Sequence, residues 1–520
     1  MNKKISISLL YLLILAGTAH AALRVTDLRT EQLKNPLGID IRHPRLGWRI
    51  ESDEQNVMQT AYHILVASSP ELLAQGKGDC WDSGKVKTDA SQWITYQGET
   101  LKRNTPYYWK VKVYTHTNET DWSEPASWSM GLLNEADWQG QWIGLDRPAP
   151  GDSETQWSRL AARYLRKEFA LTKEVKRATV HIAGMGLYEL FINGQRIGEQ
   201  VLAPAPTDYR KTILYNTYDV TPQLQKENAI GVILGNGRFY TMRQNYKPYK
   251  IPTFGYPKLR LNLIVEYTDG SRQTIASDIS WKLTTEGPIR SNNEYDGEEY
   301  DARKELGDWN RTGYDDTNWI PAGRVSIPSG TLRAQMMPGM KVTESLKPVS
   351  IRKQGDKHIL DIGQNMAGWL RIRIKGQAGD SIRLRFAERL QADGEIFTKN
   401  LRDAHCTDIY VVSGREPQDT TWAPRFVYHG FRYVEISGYP NAKTEDFTAE
   451  VVDDEMAHTG TFTCSDETLN QVLHNAFWGI RSNYKGMPVD CPQRNERQPW
   501  LGDHAMGSWG ESLFFNNHAL

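Results

Sequence analysis

Between Met487 and Asp503 the chain reads MPVDCPQRNERQPWLGD, with three carboxylates (Asp490, Glu496, Asp503), two arginines (Arg494, Arg497) and the indole of Trp500. Pro488, Pro492 and Pro499 remove backbone donors and exclude a regular helix, so the segment is expected to be a loop that presents side chains. Paired carboxyl groups beside an aromatic face are what glycosidic-bond cleavage requires. One acid protonates the leaving oxygen, a second group activates water or attacks, and the ring packs on the C–H face of a sugar. The same residues would also serve as a structural loop of surface ion pairs, and spacing alone leaves both readings open.

The elements that must position this loop come before it. At 520 residues the chain is long enough for three or four domains of about 100–200 residues each. Lys and Arg number 62 against 63 Asp and Glu, a net charge of −1, which removes the electrostatic case for a nucleic-acid or other polyanionic partner. The 17 tryptophans suit β-sandwich cores and carbohydrate contacts alike. Residues 1–21 read as a signal peptide: Lys3 and Lys4, an apolar run from Ile5 to Gly17, then Ala19-His20-Ala21 as a cleavage site. Export to the periplasm or the exterior follows, and no later run approaches the ~20 apolar residues of a membrane span. Cys80, Cys406, Cys464 and Cys491 are too scattered for a disulfide framework and lack the spacing of a zinc site.

From residue 22 to 134 short alternating strands, among them Leu46–Ile50, Tyr62–Val66 and Tyr107–Tyr114, predict an all-β sandwich that resembles a fibronectin type III module. A Pro- and Gly-rich boundary, Asp146 to Thr155, lies near the start of a second region, 135–335, in which Asn193-Gly194 predicts a type I′ hairpin and a jelly-roll-like sandwich fits. Its acidic stretch Glu294–Asp301 could ligate a hard cation such as calcium, but the residue spacing favours a solvated turn. A third β region, 336–455, places Leu370, Ile372 and Ile374 on one strand and Ile382, Leu384 and Phe386 on the next, with Gly376–Asp380 turning between them. His429 in this region reads as a core or edge histidine rather than a sugar contact.

From residue 456 the period changes. Leu469, Val472, Leu473, Ala476, Ile480 and Tyr484 recur at helical spacing, with Ser465 as the expected cap and Gly486 followed by Pro488 as the stop. Met506, Trp509, Leu513 and Phe514 repeat the spacing after Asp503, so the carboxylate loop joins two helices.

At this point DCPQRNERQPWLGD, Asp490 to Asp503, resembles the signature of bacterial α-L-rhamnosidases of glycoside hydrolase family 78. LYELFINGQRIG, DGEEYDAR, DIGQNMAGWLRIRIKG and FVYHGFRYVEISGYP carry the same resemblance in the family's order, across residues 22 to 520. It implies a mainly β, multidomain fold: a fibronectin-like sandwich, a jelly-roll carbohydrate-binding-like domain and a second β-sandwich, followed by the first helices of an incomplete (α/α)6 barrel. It also implies an inverting hydrolase of terminal α-L-rhamnosyl residues. Glu496 would be the general acid, Asp490 and Asp503 would bind sugar hydroxyls, Arg494 would orient the carboxylates and Trp500 would wall the sugar subsite. Acids flanking Glu496 would favour its protonated form. Family members often read LGWTGD where this chain reads Gln498-Pro499-Trp500-Leu501-Gly502-Asp503, a variation that keeps the spacings.

The general base of the family lies far downstream of the motif, beyond the C-terminus here, so no residue is assigned to it. The chain is therefore expected to be a fragment lacking most of the catalytic barrel and inactive alone, with Met506, Trp509, Phe514 and Phe515 exposing apolar surface. No cofactor is implied; structural calcium stays open. Rhamnose-containing glycans or glycosides are the expected partners. The rival readings are a non-catalytic rhamnose-binding or other carbohydrate-binding protein and a β-sandwich adhesion module.

Overall fold

A computed structural model describes residues 23–116, 118–153, 159–240 and 254–518. The signal-peptide reading of residues 1–21 lies outside the described residues. The chain divides into two compact units: residues up to Pro36, Ile41–Leu101 and Thr105–Ser129 form the first, and Leu37–Asp40, Lys102–Asn104 and Met130 onward the second.

The first unit is a sandwich of a three-stranded and a five-stranded sheet. Its strand Pro106–Thr115 shows the alternation that makes it one-sided: Tyr107, Trp109, Val111 and Val113 are buried while the residues between them are half exposed. Trp48 is buried beside it and donates its indole N–H to Gln59 Oε1 at 3.1 Å, which satisfies the one polar atom the ring carries.

In the second unit, sheets of six and seven strands enclose an aliphatic core that includes Val180, Ile182, Leu190, Val232, Leu261 and Leu263. The Asn193-Gly194 hairpin forms, with φ of 51° and 82°, the paired left-handed conformation a type I′ turn needs. Beyond it runs a ten-stranded sheet. Here the expected neighbours are not neighbours. Lys357–Arg373 and Ser381–Ala387 both pair with His429–Ser437, which lies between them, so Gly376–Asp380 crosses over rather than closing a hairpin. Alternation identifies each strand, but the partner is set by the apolar rows that meet, here Leu384 against Ile436 and Leu360 against Val434.

The acidic stretch is also different from the solvated turn expected. Glu294, Glu298 and Asp301 are buried in the hairpin formed by Ile289–Asn293 and Gly297–Asp301, which joins the ten-stranded sheet through a parallel pairing with Thr407–Val411. Gly297, at φ +110°, lets the backbone pass where a Cβ would meet Thr407 O at 2.2 Å. Glu298 accepts the N–H groups of Arg425 and Phe426, both at 3.1 Å, and Glu294 pairs with Arg238 at 3.4 Å. Carboxylates can be buried here because donors from distant strands reach them, which sequence proximity does not reveal.

The helix Glu467–Ser482 is capped by Asp466, not Ser465: the Asp466 carboxylate accepts from the N–H groups of Thr468 at 2.8 Å and Leu469 at 3.2 Å. A second helix spans Leu501–Phe514. The pair packs through Phe477 against Phe514 and Phe515, and Phe515 is buried with Met456 and Tyr484 rather than exposed. Met506 and Trp509 are 89% and 86% exposed. Among the described residues no helix is long and apolar enough to cross a membrane.

Burial, with Asp408 adding to it, pushes the Glu298 carboxyl up to about 8. Because the folded state keeps this proton up to a higher pH than the unfolded chain does, its stability falls as pH rises from the ordinary carboxyl range toward 8. Denaturant unfolding at about pH 5 and about pH 8 should show this fall, on the order of a few kcal/mol. Glu298→Gln should remove that part of it; an unchanged pH dependence in the variant would refute the assignment.

Candidate active site

The loop between the two helices is tied down residue by residue onto the β-scaffold. Gly486 enters it at φ +73°, and its N–H lies 2.9 and 2.8 Å from the two oxygens of the buried Asp454. A Cβ at Gly486 would stand 2.8 Å from the Ala205 side chain, so this glycine permits a close approach rather than stopping the helix. Asp490 N donates to Gln498 O at 2.9 Å, and Gln498 N donates back to Asp490 Oδ1 at 2.7 Å, closing the loop on itself. Gly430 lets Pro492 sit against the strand His429–Ser437, since a Cβ there would be 2.7 Å from Pro492 Cγ. Cys406 donates its thiol to Gln493 O at 3.1 Å.

Arg497 is the buried pin of this arrangement. It is 0% exposed, at φ +50°, with Nε donating to Arg494 O at 3.2 Å and Nη1 to Tyr428 O at 3.1 Å. Its guanidinium lies 4.4 Å from the centre of the Tyr428 ring and 5.4 Å from that of Tyr295. Arg238, itself paired with Glu294, donates to Arg497 O. Carbonyls, ring faces and a second guanidinium thus hold the backbone in a conformation that a non-glycine residue adopts at a cost of ~1–3 kcal/mol.

With the loop fixed, the functional side chains converge. Glu496 is 4% exposed. Its Oε2 accepts from Arg494 Nε at 2.8 Å and lies 3.0 Å from Arg402 Nη1, while Oε1 accepts the Trp500 indole N–H at 3.2 Å. Arg494 also reaches Asp490 Oδ2 at 3.4 Å, so one guanidinium bridges two carboxylates. Ligand atoms of Asp490, Cys491 and Glu496 lie within 4.8 Å of one another. Burial pushes the Cys491 thiol up to about 12, so it enters this cluster as a neutral group. Both Glu496 oxygens therefore already hold donors.

Asp490, Arg494, Glu496 and Trp500 are therefore brought together. Asp503 is exposed in the first turn of the helix Leu501–Phe514 and makes none of these contacts. Sequence reasoning missed Arg402, which reaches the site from the loop between the strands Ser381–Ala387 and Thr407–Val411. Its backbone sits at φ 60°, ψ −120°, another strained position beside the acid. Nothing in its sequence surroundings signals the contact; only the seating of one sheet under the loop creates it. His429, buried with Nε2 3.0 Å from Asp408 Oδ1 and stacked on Phe386, belongs to the core beneath.

β-Sandwich modules that deliver a buried acid, a bridging arginine and an indole on a helix-flanked loop have the build of a modular glycoside hydrolase. Four family models cover the chain in succession: the Rha78A-like N-terminal immunoglobulin domain over residues 25–134, the α-L-rhamnosidase N-terminal domain over 173–344, the bacterial α-L-rhamnosidase concanavalin-like domain over 351–453, and its 6 hairpin glycosidase domain over 457–520. An α-L-rhamnosidase of Formosa agariphila is 38% identical over 494 residues, which cover 90% of this chain and 52% of that protein. The α-L-rhamnosidase structure from Dictyoglumus thermophilum superposes with a TM-score of 0.87 at 39% identity, covering 95% of this chain and 56% of the other. That from Streptomyces avermitilis, complexed with L-rhamnose, gives 0.89 at 28% identity, covering 96% and 64%. The chain belongs to the bacterial α-L-rhamnosidase family, and it spans about half the length of these curated relatives.

If Arg497 pins the loop, Arg497→Met should leave the Tyr428 carbonyl without its donor and loosen the segment by about 3 kcal/mol. Limited proteolysis should then cut between residues 487 and 503, where the wild type resists. Equal resistance in both proteins would contradict the role given to this guanidinium.

Proposed function

We propose that this chain carries the proton-donating and sugar-holding part of an α-L-rhamnosidase site, acting on terminal α-L-rhamnosyl residues with inversion of configuration. The observation that supports it most is the buried Glu496 held by Arg494 and Trp500, in a chain of this family. Glu496 protonates the glycosidic oxygen. Asp490 and Asp503 accept from the sugar hydroxyls, more strongly as positive charge develops on the ring. Arg494 orients the carboxylates, and Trp500 packs on the apolar face of the sugar. The relative from Streptomyces avermitilis holds L-rhamnose, the sugar this reading places against Trp500. Residues 1–21 direct export, so the substrates are rhamnose-containing glycans or glycosides met outside the cytoplasm.

Inversion needs a second carboxylate about 6.5–9.5 Å from the acid, with room for a water between them. Asp490 does not fit that role, because its ligand oxygen approaches Glu496 to within 4.8 Å and Arg494 bridges the gap. The reading assigns the base to none of the described residues. The 520 residues on their own are therefore expected to bind the sugar and leave the bond intact.

Two measurements test this. With an aryl α-L-rhamnoside, the purified chain should release aglycone only at the background rate. Calorimetric titration with L-rhamnose should show binding that Glu496→Gln retains and that Asp490→Asn and Trp500→Ala weaken by about tenfold, the loss of one charge-assisted hydrogen bond or one ring contact. Robust turnover abolished by Glu496→Gln would refute the expected inactivity while upholding the acid; turnover that survives Glu496→Gln would refute the acid itself. Absence of any rhamnose binding would count against the sugar site.

A further inference from the structure

On the solvent side of the ten-stranded sheet lies a polar recess of about 500 Å³. Its floor follows from strand alternation. In Ser381–Ala387, Ile382, Leu384 and Phe386 point into the core, so Arg383 and Arg385 share the opposite face, about 7 Å apart along the strand. Arg385 stands opposite Thr407 on one neighbouring strand and Glu435 on the other, and Arg383 opposite Ile409 and Ser437. All six line the recess.

The charges around it do not cancel locally, although they do over the whole chain. Arg159 is held by Glu299 at 2.5 Å and Lys357 by Glu435 at 3.2 Å, while Asp296 adds one negative charge that His405, 3.9 Å away, offsets only when it is protonated. Glu298, also in the lining, holds its proton up to about 8 because it is buried, and adds no full negative charge near neutral pH. Arg383 and Arg385 have no hydrogen-bond or ion-pair partner among the described residues, and both are exposed. Two like charges side by side on one sheet face repel, a cost that an anion received between them would reverse. Guanidinium forks match a planar carboxylate or a sulfate ester with paired hydrogen bonds, and their weak hydration makes them easier to engage than ammonium groups.

The recess adjoins the acid. His405 lines it and follows Arg402 by three residues, so the two Cα atoms are at most ~11 Å apart. Arg402 touches Glu496 Oε2, and Cys406, next to His405, is bonded to Gln493 of the carboxylate loop. A sugar unit linked to a rhamnose at Glu496 and leaving the loop on its Gln493–His405 side would meet these arginines.

We propose that Arg383 and Arg385 form an anion-recognition subsite for a carboxylate or sulfate ester on the glycan unit beside the terminal rhamnose, so that the substrates of this chain are acidic rhamnose-containing glycans. This rests on the rhamnoside reading of the Glu496 site. It concerns a different face, built by the sheet rather than by the loop.

The test is calorimetric titration of the 520-residue chain, at low salt, with rhamnose α-linked to glucuronate, to a sulfated hexose and to glucose. Arg383→Gln/Arg385→Gln is titrated in parallel, and its unfolding midpoint is measured to confirm that it folds. The wild type should bind at least one acidic disaccharide about tenfold or more tightly than the neutral one, the better of the two identifying the anion as carboxylate or sulfate. The variant should lose this preference while binding the neutral disaccharide as before. Equal affinity for all three in the wild type, or a preference that survives in the variant, would overturn the proposal. If no rhamnoside binds but free glucuronate does, and only with both arginines present, the anion site stands and the rhamnoside reading fails.

Discussion

A single buried guanidinium, that of Arg497, is what the rest of the site depends on. An arginine with no exposed surface keeps its charge only if its surroundings replace the water it has lost. Here two carbonyls accept from Nε and Nη1 and two tyrosine rings face the guanidinium, with the Arg238–Glu294 pair behind them, while Nη2 has no hydrogen-bond partner among the described residues. One of those carbonyls belongs to Arg494, which carries the bridge to Glu496 and Asp490. The charge that anchors the loop and the charge that orders the carboxylates are therefore mechanically linked. Tyr295 sits in the turn between the strands Ile289–Asn293 and Gly297–Asp301, and Tyr428 immediately precedes the strand His429–Ser437, which is why the sheet matters to a loop it does not contain.

The strained backbone positions fit the same picture. Arg402, Cys406 and Arg497 all have positive φ, and all three touch the acid or the loop that carries it. Such conformations persist only where neighbouring contacts over-determine them. In this protein those contacts run between the ten-stranded sheet and the segment Met487–Trp500, so the sheet works as the bed of the site as well as a domain of its own.

Much of this was legible in the sequence. The proline-punctuated loop, the change from period two to helical spacing before it, and the Asn193-Gly194 hairpin all follow from local rules, because each is set by residues close in the chain. What sequence reasoning missed was set by distant ones. Strand alternation could not say that His429–Ser437 would separate Lys357–Arg373 from Ser381–Ala387. Side-chain charge could not say that Glu298 would be buried against the backbone of Arg425 and Phe426. The choice between Asp466 and Ser465 as helix cap turned on a single residue of register. Arg402 was invisible for the same reason: its contact with Glu496 exists only once one domain is seated under another element's loop.

The central claim is that the β-scaffold holds the carboxylate loop, within these 520 residues, in the form that gathers Asp490, Arg494, Glu496 and Trp500. Amide hydrogen exchange on the chain tests it most directly, because the N–H groups of Asp490 and Gln498 are bonded only within that form. The account predicts that both exchange orders of magnitude more slowly than an open loop does, close to the amides of the strand His429–Ser437 beneath them. Exchange at the rate of an unprotected segment would show that the loop is not preorganised and would contradict the account.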